Sequence, residues 1–123
     1  MTEPISRTYR FALAACTPIV RWWGRLEVTG LEPTIKFPND VLIGGRKVAG
    51  ILAESSDGRV VLGIGVNANQ TSEQLPDEAQ TEPTSLRVEA GEPVNRAQLL
   101  AAILLHLERA YDAWAAMDTS ASG

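Results

Sequence analysis

The first part of the chain distributes apolar and polar residues at the spacing of a helix. Apolar side chains recur every three or four positions over residues 11–26, which predicts an amphipathic helix. Pro18 interrupts it because proline has no amide hydrogen to donate. We favour a kink at Pro18, and a second helix capped by Thr17 is the alternative. Trp22 and Trp23 point in different directions on a helix, so one is predicted to face the core and the other outward.

The pattern changes to strand-like alternation in the middle of the chain. Apolar runs there are short, rich in β-branched residues and separated by turn residues, which predicts four strands. Gly44 with Gly45, and Asp57 with Gly58, suit the positive backbone angles of tight reversals, so the last three strands are predicted to form antiparallel hairpins. The four segments are residues 32–37, 40–43, 46–55 and 59–69.

A polar stretch and a second helical pattern follow. Residues 70–93 are predicted to form a long loop with at most one helical turn, a length typical of functional lids. Asn95 is a predicted N-cap, with Gln98 completing a capping box and Val94 packing against Leu99 as a staple. The predicted buried stripe of this last helix is Leu100, Ile103, Leu104, Leu107, Tyr111 and Trp114.

The order of these elements indicates one α+β domain. A chain of 123 residues, 45% of them hydrophobic, suits a single domain with a real core. We expect residues 1–118 to form this domain and residues 119–123, "TSASG", to be a disordered tail.

Composition excludes several classes of function. The formal net charge of -4 and the pI near 4.9 leave no basic face, so nucleic acid is not expected as a partner. Cys16 lies in an apolar run and is expected to be a buried, inert thiol, and His106 a boundary side chain rather than a metal ligand. The chain shows neither a membrane-spanning run nor a signal-peptide pattern, so we expect a cytoplasmic protein without membrane contact.

The third predicted strand begins with a candidate site residue. Strict alternation places Lys47 on one face with small and apolar neighbours, namely Ala49, Ile51 and Ala53. Lys47 could be an edge-strand lysine that discourages aggregation, and "KFPND", residues 36–40, could be a turn with solvated charges. A ligand-binding role is the alternative for both.

The fourth predicted strand has one apolar face and one nearly bare face. Gly63 and Gly65 lie on the bare face, which ends at Asn67. Alternate glycines fit either a flat ligand close to the backbone or a crossing helix. Asn67 fits either recognition of the N6 and N7 edge of adenine or the start of a turn.

Three motifs together resemble those of a known family. "KFPNDVLIGGRKVAGILAE" (36–54), "GIGVNAN" (63–69) and "PTSLRVEAGEPVNRAQLLAAIL" (83–104) are similar, in order and spacing, to segments of the biotin protein ligases, also called holocarboxylase synthetases. The likeness covers residues 11–114, with Phe37 where the family usually has tryptophan. It implies a mixed, largely antiparallel sheet flanked by the first helix and the long last helix, an incomplete version of the fold of biotin ligases and class II synthetases.

The resemblance implies a reaction in two steps. Biotin and ATP first form biotinyl-5'-AMP and pyrophosphate, and a lysine of biotin carboxyl carrier protein then takes up the biotin. Lys47 matches the family's central, catalytic lysine beside the biotin carboxylate and the α-phosphate, where a fixed cation lowers the repulsion between two anions. ATP, Mg2+ and biotin are the implied ligands.

Further site residues follow from the same resemblance. Backbone groups of Gly50 and Ile51 would hold the biotin end of the substrate. Asn67 would bind the adenine, with Gly63 and Gly65 beneath the nucleotide.

The "KFPND" segment matches a family motif on the nucleotide side. Lys36, Asn39 and Asp40 would shape this part of the substrate site, with Asp40 also near magnesium. Residues 70–83 would border the adenylate.

The chain also departs from the family pattern. Biotin protein ligases carry a Gly/Arg-rich loop before the first helix, and "MTEPISRTYR" contains no such segment. We therefore expect an N-terminally truncated domain with impaired catalysis. The alternatives are a catalytically incompetent module that binds adenylate or biotin, and a lipoate ligase-like enzyme. Uncovered sheet edge and apolar surface favour a homodimer or association with another chain.

Overall fold

The computed structural model describes residues 5–77 and 80–122. They form an α+β domain, which confirms the predicted fold class. In chain order the elements are α1 (Ile5–Trp23), α2 (Leu26–Thr29), β1 (Pro33–Lys36), β2 (Asp40–Ile43), β3 (Arg46–Ser56), β4 (Arg59–Val66), a 3-10 turn (Ser72–Gln74), α3 (Leu86–Ala90) and α4 (Arg96–Ser122).

The four strands form one sheet in the order β1-β2-β3-β4, and each neighbouring pair is antiparallel. Gly44 and Gly45 connect β2 to β3 with φ of 57° and 79°, a backbone conformation that glycine adopts without steric cost. An isolated parallel bridge joins Lys47 to Pro83, so the sheet is mixed beside β3.

The core lies on one side of the sheet, beneath α1. Helix α1 packs against β3, and α4 packs against α1, so the layers run from sheet to α1 to α4. The fully buried side chains include Val20, Leu26, Val41, Ile43 and Val48.

Helix α1 continues through Pro18, so the alternative of a second helix that begins there is wrong. Thr17 is not a cap, because its Oγ1 donates a 2.7 Å hydrogen bond to the carbonyl of Leu13 within the helix. The two tryptophans behave as predicted: Trp23 packs against the core, whereas 63% of Trp22 is exposed.

The predicted buried stripe of α4 is wrong in part. The core receives Leu99 and Ile103, whereas Leu100 and Leu104 are each 57% exposed and Tyr111 is 53% exposed. Apolar residues surround most of this helix and α1 covers one side only, so spacing could not select the buried face.

The ends of α4 were predicted with different outcomes. The predicted N-cap is confirmed, since Asn95 Oδ1 accepts a 3.0 Å hydrogen bond from the Gln98 amide. The helix extends to Ser122, and Gly123 lies outside the described residues. Disorder in residues 119–123 stays a prediction, as does the boundary at residue 118.

The segment from residue 70 to residue 93 contains two short helices rather than one turn. Ser85 caps α3 by accepting a 3.1 Å hydrogen bond from the Val88 amide, and Gly91 ends α3 with φ of 80°. Of the helices in residues 5–77 and 80–122, none has the length and apolar content needed to cross a bilayer.

Candidate functional site

The sheet face opposite the core carries a row of four predicted site residues. Lys36 is opposite Asp40, Asp40 is opposite Gly50, and Gly50 is opposite Gly65, so one residue comes from each strand. Directly opposed residues project to the same side of a sheet. We call this side the open face. Gly63, two positions before Gly65, belongs to the same face.

The predicted side of Lys47 is wrong, because β3 contains a β-bulge. Val41 is opposite Ala49 but Leu42 is opposite Lys47, so Val48 is an extra residue in β3. The inserted residue reverses the alternation before it. Lys47 therefore lies on the open face with Gly50 rather than on the core face with Ala49.

The Lys47 side chain lies over Gly50 and reaches Asp40. Its Nζ is 3.2 Å from Asp40 Oδ1. A methyl group at Gly50 would lie 3.2 Å from both Cε and Nζ of Lys47. The side chain of Asp40 is 15% exposed and that of Lys47 is 42% exposed, so the ammonium is held by a shielded carboxylate while one side remains open to an anion.

A cleft of about 340 Å³ opens beside this ion pair. It contains two cations, and Lys36 Nζ donates a 2.9 Å hydrogen bond to Thr81 Oγ1 across it. Its volume lies at the lower end of the range typical of small-molecule sites. The lining residues are Lys36, Asp40, Lys47, Asn67, Pro76, Gln80, Thr81 and Pro83.

Asn67 lines the cleft but already bonds to the protein. Its Nδ2 donates a 3.0 Å hydrogen bond to the Thr84 carbonyl, and its Oδ1 accepts a 3.4 Å hydrogen bond from Gln70 Nε2. One Nδ2 hydrogen and one oxygen lone pair remain for a ligand. The adenine-binding role of Asn67 stays a prediction.

Ile51 and Asn39 contribute through their backbone. The side chain of Ile51 is buried in the core, and its amide donates a 2.9 Å hydrogen bond to the Asn39 carbonyl. This bond ties the turn before Asp40 to β3. The roles predicted for these residues, and for Gly50, Gly63 and Gly65, in holding the substrate stay predictions.

Residues 82–84 hold the backbone of Lys47. The Lys47 amide donates a 2.8 Å hydrogen bond to the Glu82 carbonyl, and the Lys47 carbonyl accepts one of 2.8 Å from the Thr84 amide. The chain that follows the loop therefore runs beside β3 at the lysine itself.

A network beside Lys47 was missed by the sequence reasoning. The carboxylate of Glu89 is 7% exposed, and its Oε2 accepts hydrogen bonds from Arg46 at 2.8 Å and from Thr84 Oγ1 at 2.6 Å. The available signal was Ser85, an N-cap type residue that is followed by Gly91 at the distance of a short helix. That helix, α3, carries Glu89.

The described residues contain no group of three or more histidine, cysteine or acidic side chains that could hold a metal ion. Among the described residues that line the cleft, Asp40 is the one carboxylate. A magnesium ion held by one carboxylate and by nucleotide phosphate oxygens needs no larger protein cluster, so Asp40 fits this mode.

The expectation for Cys16 agrees with its surroundings. Burial raises the pKa of its thiol to about 11, and the side chain lies in the core. A protonated thiol away from the cleft is a poor nucleophile.

Comparison with known proteins assigns the family. A model of the biotin/lipoate A/B protein ligase family matches residues 3–70. The chain belongs to this family. This confirms the resemblance inferred from the motifs, although the match ends at residue 70, the first residue of the loop that follows Asn69.

Individual relatives agree with this assignment. The chain is 40% identical over 113 residues to the bifunctional ligase/repressor BirA of Bacillus subtilis, covering 88% of this chain and 34% of BirA. It is 37% identical over 89 residues to the biotin–acetyl-CoA-carboxylase ligase of Mycobacterium tuberculosis, covering 72% of this chain and 32% of that ligase. The chain thus spans about a third of the length of these curated relatives.

The fold also matches a solved structure of the same class. The biotin protein ligase from Aquifex aeolicus in complex with biotin and ATP superposes with a TM-score of 0.63 at 28% identity, covering 83% of this chain and 42% of the ligase.

Proposed function

We propose that this chain carries part of the active site of a biotin protein ligase. The observation that carries the proposal is the position of Lys47, whose ammonium lies over a glycine floor beside Asp40 and faces a cleft on the open face. Family membership and the named ligases among its relatives support biotin as the acyl substrate.

The proposed first step joins biotin to AMP. A biotin carboxylate oxygen attacks the α-phosphorus of ATP, the bond from that phosphorus to the bridging oxygen breaks, and pyrophosphate leaves. Both reacting groups are anionic, so the fixed cation of Lys47 lowers their repulsion and stabilises the charge of the transition state. Asp40 positions the ammonium and is the candidate ligand for the magnesium that accompanies ATP.

The proposed second step transfers biotin to a carrier. The neutral lysine amine of biotin carboxyl carrier protein attacks the acyl carbon of biotinyl-5'-AMP, AMP leaves with the bonding electrons, and the nitrogen releases one proton to solvent. The open face is accessible from solvent beside Lys47, which is what an incoming lysine requires. A cytoplasmic location, and a homodimer or association with another chain through an uncovered sheet edge, belong to the same proposal.

Two other functions would use the same cleft. A binding module would hold the adenylate or biotin without turnover, and the two cations among the cleft-lining residues, Lys36 and Lys47, would bind the phosphate and the carboxylate of such a ligand. A lipoate ligase-like enzyme would use lipoate as the acyl substrate, and the biotin ligases named among the relatives argue against that choice.

The deciding experiment measures pyrophosphate release and carrier biotinylation with biotin, Mg-ATP and biotin carboxyl carrier protein. We expect the wild type to release pyrophosphate. In Lys47→Ala the rate of release should fall at least about 100-fold, which is the effect of losing one transition-state contact. Arg59→Ala, an exposed change beyond the cleft, is the matched control. Binding of biotinyl-5'-AMP without pyrophosphate release would support the module, and full activity in Lys47→Ala would overturn the role of Lys47.

A further inference from the structure

The backbone of Lys47 lies next to an interruption of the ladder between β2 and β3. Val48 is the extra residue of the bulge between β2 and β3, so regular pairing is interrupted directly after Lys47. A bulged strand can bend and shift, and the direction of Lys47 depends on that local geometry. The hydrogen bonds of the Lys47 backbone to Glu82 and Thr84 therefore contribute to its position.

The buried carboxylate of Glu89 bridges the two segments that enclose Lys47. It binds Arg46, which precedes Lys47 in β3, and Thr84, whose amide donates to the Lys47 carbonyl. A carboxylate that is 7% exposed and accepts two hydrogen bonds is held firmly, because removing either donor would leave a buried charge underpaired.

We propose that Glu89 is a positioning residue that holds the bulged part of β3 through Arg46 and Thr84, so that Lys47 Nζ lies over Gly50 and beside Asp40. Glu89 lines no part of the cleft and acts only through these neighbours. The effect of Glu89 on turnover rests on the proposed function. The effect of Glu89 on the position of Lys47 is independent of that function.

The chain has two lysines, Lys36 and Lys47, which allows a direct test. Acetic anhydride in limiting amount acetylates both amines, and mass spectrometry of the peptides gives the rate at Lys47 relative to Lys36. In Glu89→Gln we expect Lys47 to be acetylated about threefold faster relative to Lys36, the size expected when a partly exposed ion pair with Asp40 loosens.

The matched control is Glu92→Gln. Glu92 lies three residues after Glu89, and its replacement is the same chemical change. Its side chain is 67% exposed and forms a 3.8 Å ion pair with Arg25. We expect Glu92→Gln to keep the wild-type ratio. A ratio that stays at the wild-type value in folded Glu89→Gln would overturn the proposal.

A second pair of variants decides the matter if Glu89→Gln does not fold. Arg46 is 37% exposed, so its replacement is better tolerated. We expect Arg46→Met to raise the relative acetylation of Lys47 and Arg59→Met, changed at the exposed start of β4, to keep the wild-type ratio. Equal ratios in Arg46→Met and wild type would overturn the proposal in that case.

Activity separates the positioning role from the proposed function. If the chain is a ligase, kcat for pyrophosphate release in Glu89→Gln should fall about tenfold with little change in the KM for biotin, because the lysine is displaced rather than removed. An altered acetylation ratio in a protein whose wild type releases no pyrophosphate would uphold the positioning role and reject the ligase function.

Discussion

At the scale of single residues, the site depends on the absence of a side chain. The end of the Lys47 side chain lies against Gly50 where it reaches Asp40, and Gly65 continues the bare surface on β4. A cation laid against backbone in this way can face an anionic ligand without a neighbouring side chain in between. The space left by the glycine is thus part of the arrangement.

Gly50→Ala tests this dependence on space. The new methyl group would lie 3.2 Å from the mobile end of Lys47, so we expect Lys47 to move rather than β3. The free energy of unfolding should change by less than about 1 kcal/mol, because alanine also suits a strand better than glycine. Acetylation of Lys47 relative to Lys36 should rise about threefold as the ion pair with Asp40 opens.

Gly63→Ala is the control for that substitution. A methyl group there would make ordinary contacts, 3.6 Å from the Leu52 carbonyl, and would not approach Lys47. The acetylation ratio should therefore match the wild type. A similar rise of the acetylation ratio in Gly50→Ala and Gly63→Ala would show that the glycines of the open face together, and not Gly50 alone, position Lys47.

Cys16 offers a second prediction at the residue scale. Burial raises the pKa of its thiol from the ordinary value of 9.0 to about 11. As pH rises, the thiol therefore ionises in the unfolded chain before it ionises in the folded one. The contribution of the buried, protonated thiol to the free energy of unfolding is complete below pH 9 and is lost as pH rises towards 11. Across that window the loss should reach roughly 3 kcal/mol of unfolding free energy.

The measurement is urea unfolding at several pH values in wild type and Cys16→Ala. The alanine variant should be less stable at pH 7, because it leaves a small cavity, but its stability should fall less between pH 9 and pH 11. Parallel curves for the two proteins would contradict the burial of an un-ionised thiol.

At the scale of elements, the chain shows where alternation is a sufficient guide. Leu62, Ile64 and Val66 of β4 pack on the core side as alternation predicts, because β4 pairs with β3 without interruption. Lys47 was assigned to the wrong side because a bulge shifts the count by one. The sequence around Val48 does not indicate the bulge, because the burial of Val48 depends on packing against the rest of the core.

The helices follow the same rule. Local side-chain chemistry correctly predicted the start of α4 at Asn95, whereas the side of α4 that faces α1 was assigned wrongly at Leu100 and Leu104. The contacts of Glu89 could not be inferred at all, because its partner Arg46 lies 43 residues earlier in the chain. Sequence alone thus specified local structure and the motif residues, and the fold specified which of them meet.

Asn95→Ala tests the cap at the start of α4. Losing the Asn95 Oδ1 acceptor leaves the Gln98 amide without its 3.0 Å partner, so the free energy of unfolding should fall by about 1 kcal/mol. Asn95→Asp keeps an acceptor oxygen and adds a favourable charge at the helix N-terminus, so its stability should equal or exceed that of the wild type. Equal losses in both variants, measured by urea unfolding, would show that the cap contributes nothing.

At the scale of the whole molecule, the cleft lies where three separate parts of the chain converge. Lys36 comes from the outer strand β1, Lys47 from the bulge in β3, and Thr81 from the segment between the 3-10 turn and α3. A ligand that binds all three would tie the sheet to that segment. Binding should therefore stabilise the whole fold rather than one loop.

Ligand-induced stabilisation is the prediction at this scale. With a non-hydrolysable analogue of biotinyl-5'-AMP at about 100 times its Kd, the fold should gain about 2.7 kcal/mol and its Tm should rise by roughly 10 °C. Lys47→Ala should lose at least half of this rise at the same ligand concentration, because the acyl-phosphate loses its nearest cation. Arg59→Ala, changed at the exposed first residue of β4, should keep all of it. A Tm of the wild type that does not respond to the analogue would show that the cleft does not bind an acyl-adenylate, whatever the position of the lysine.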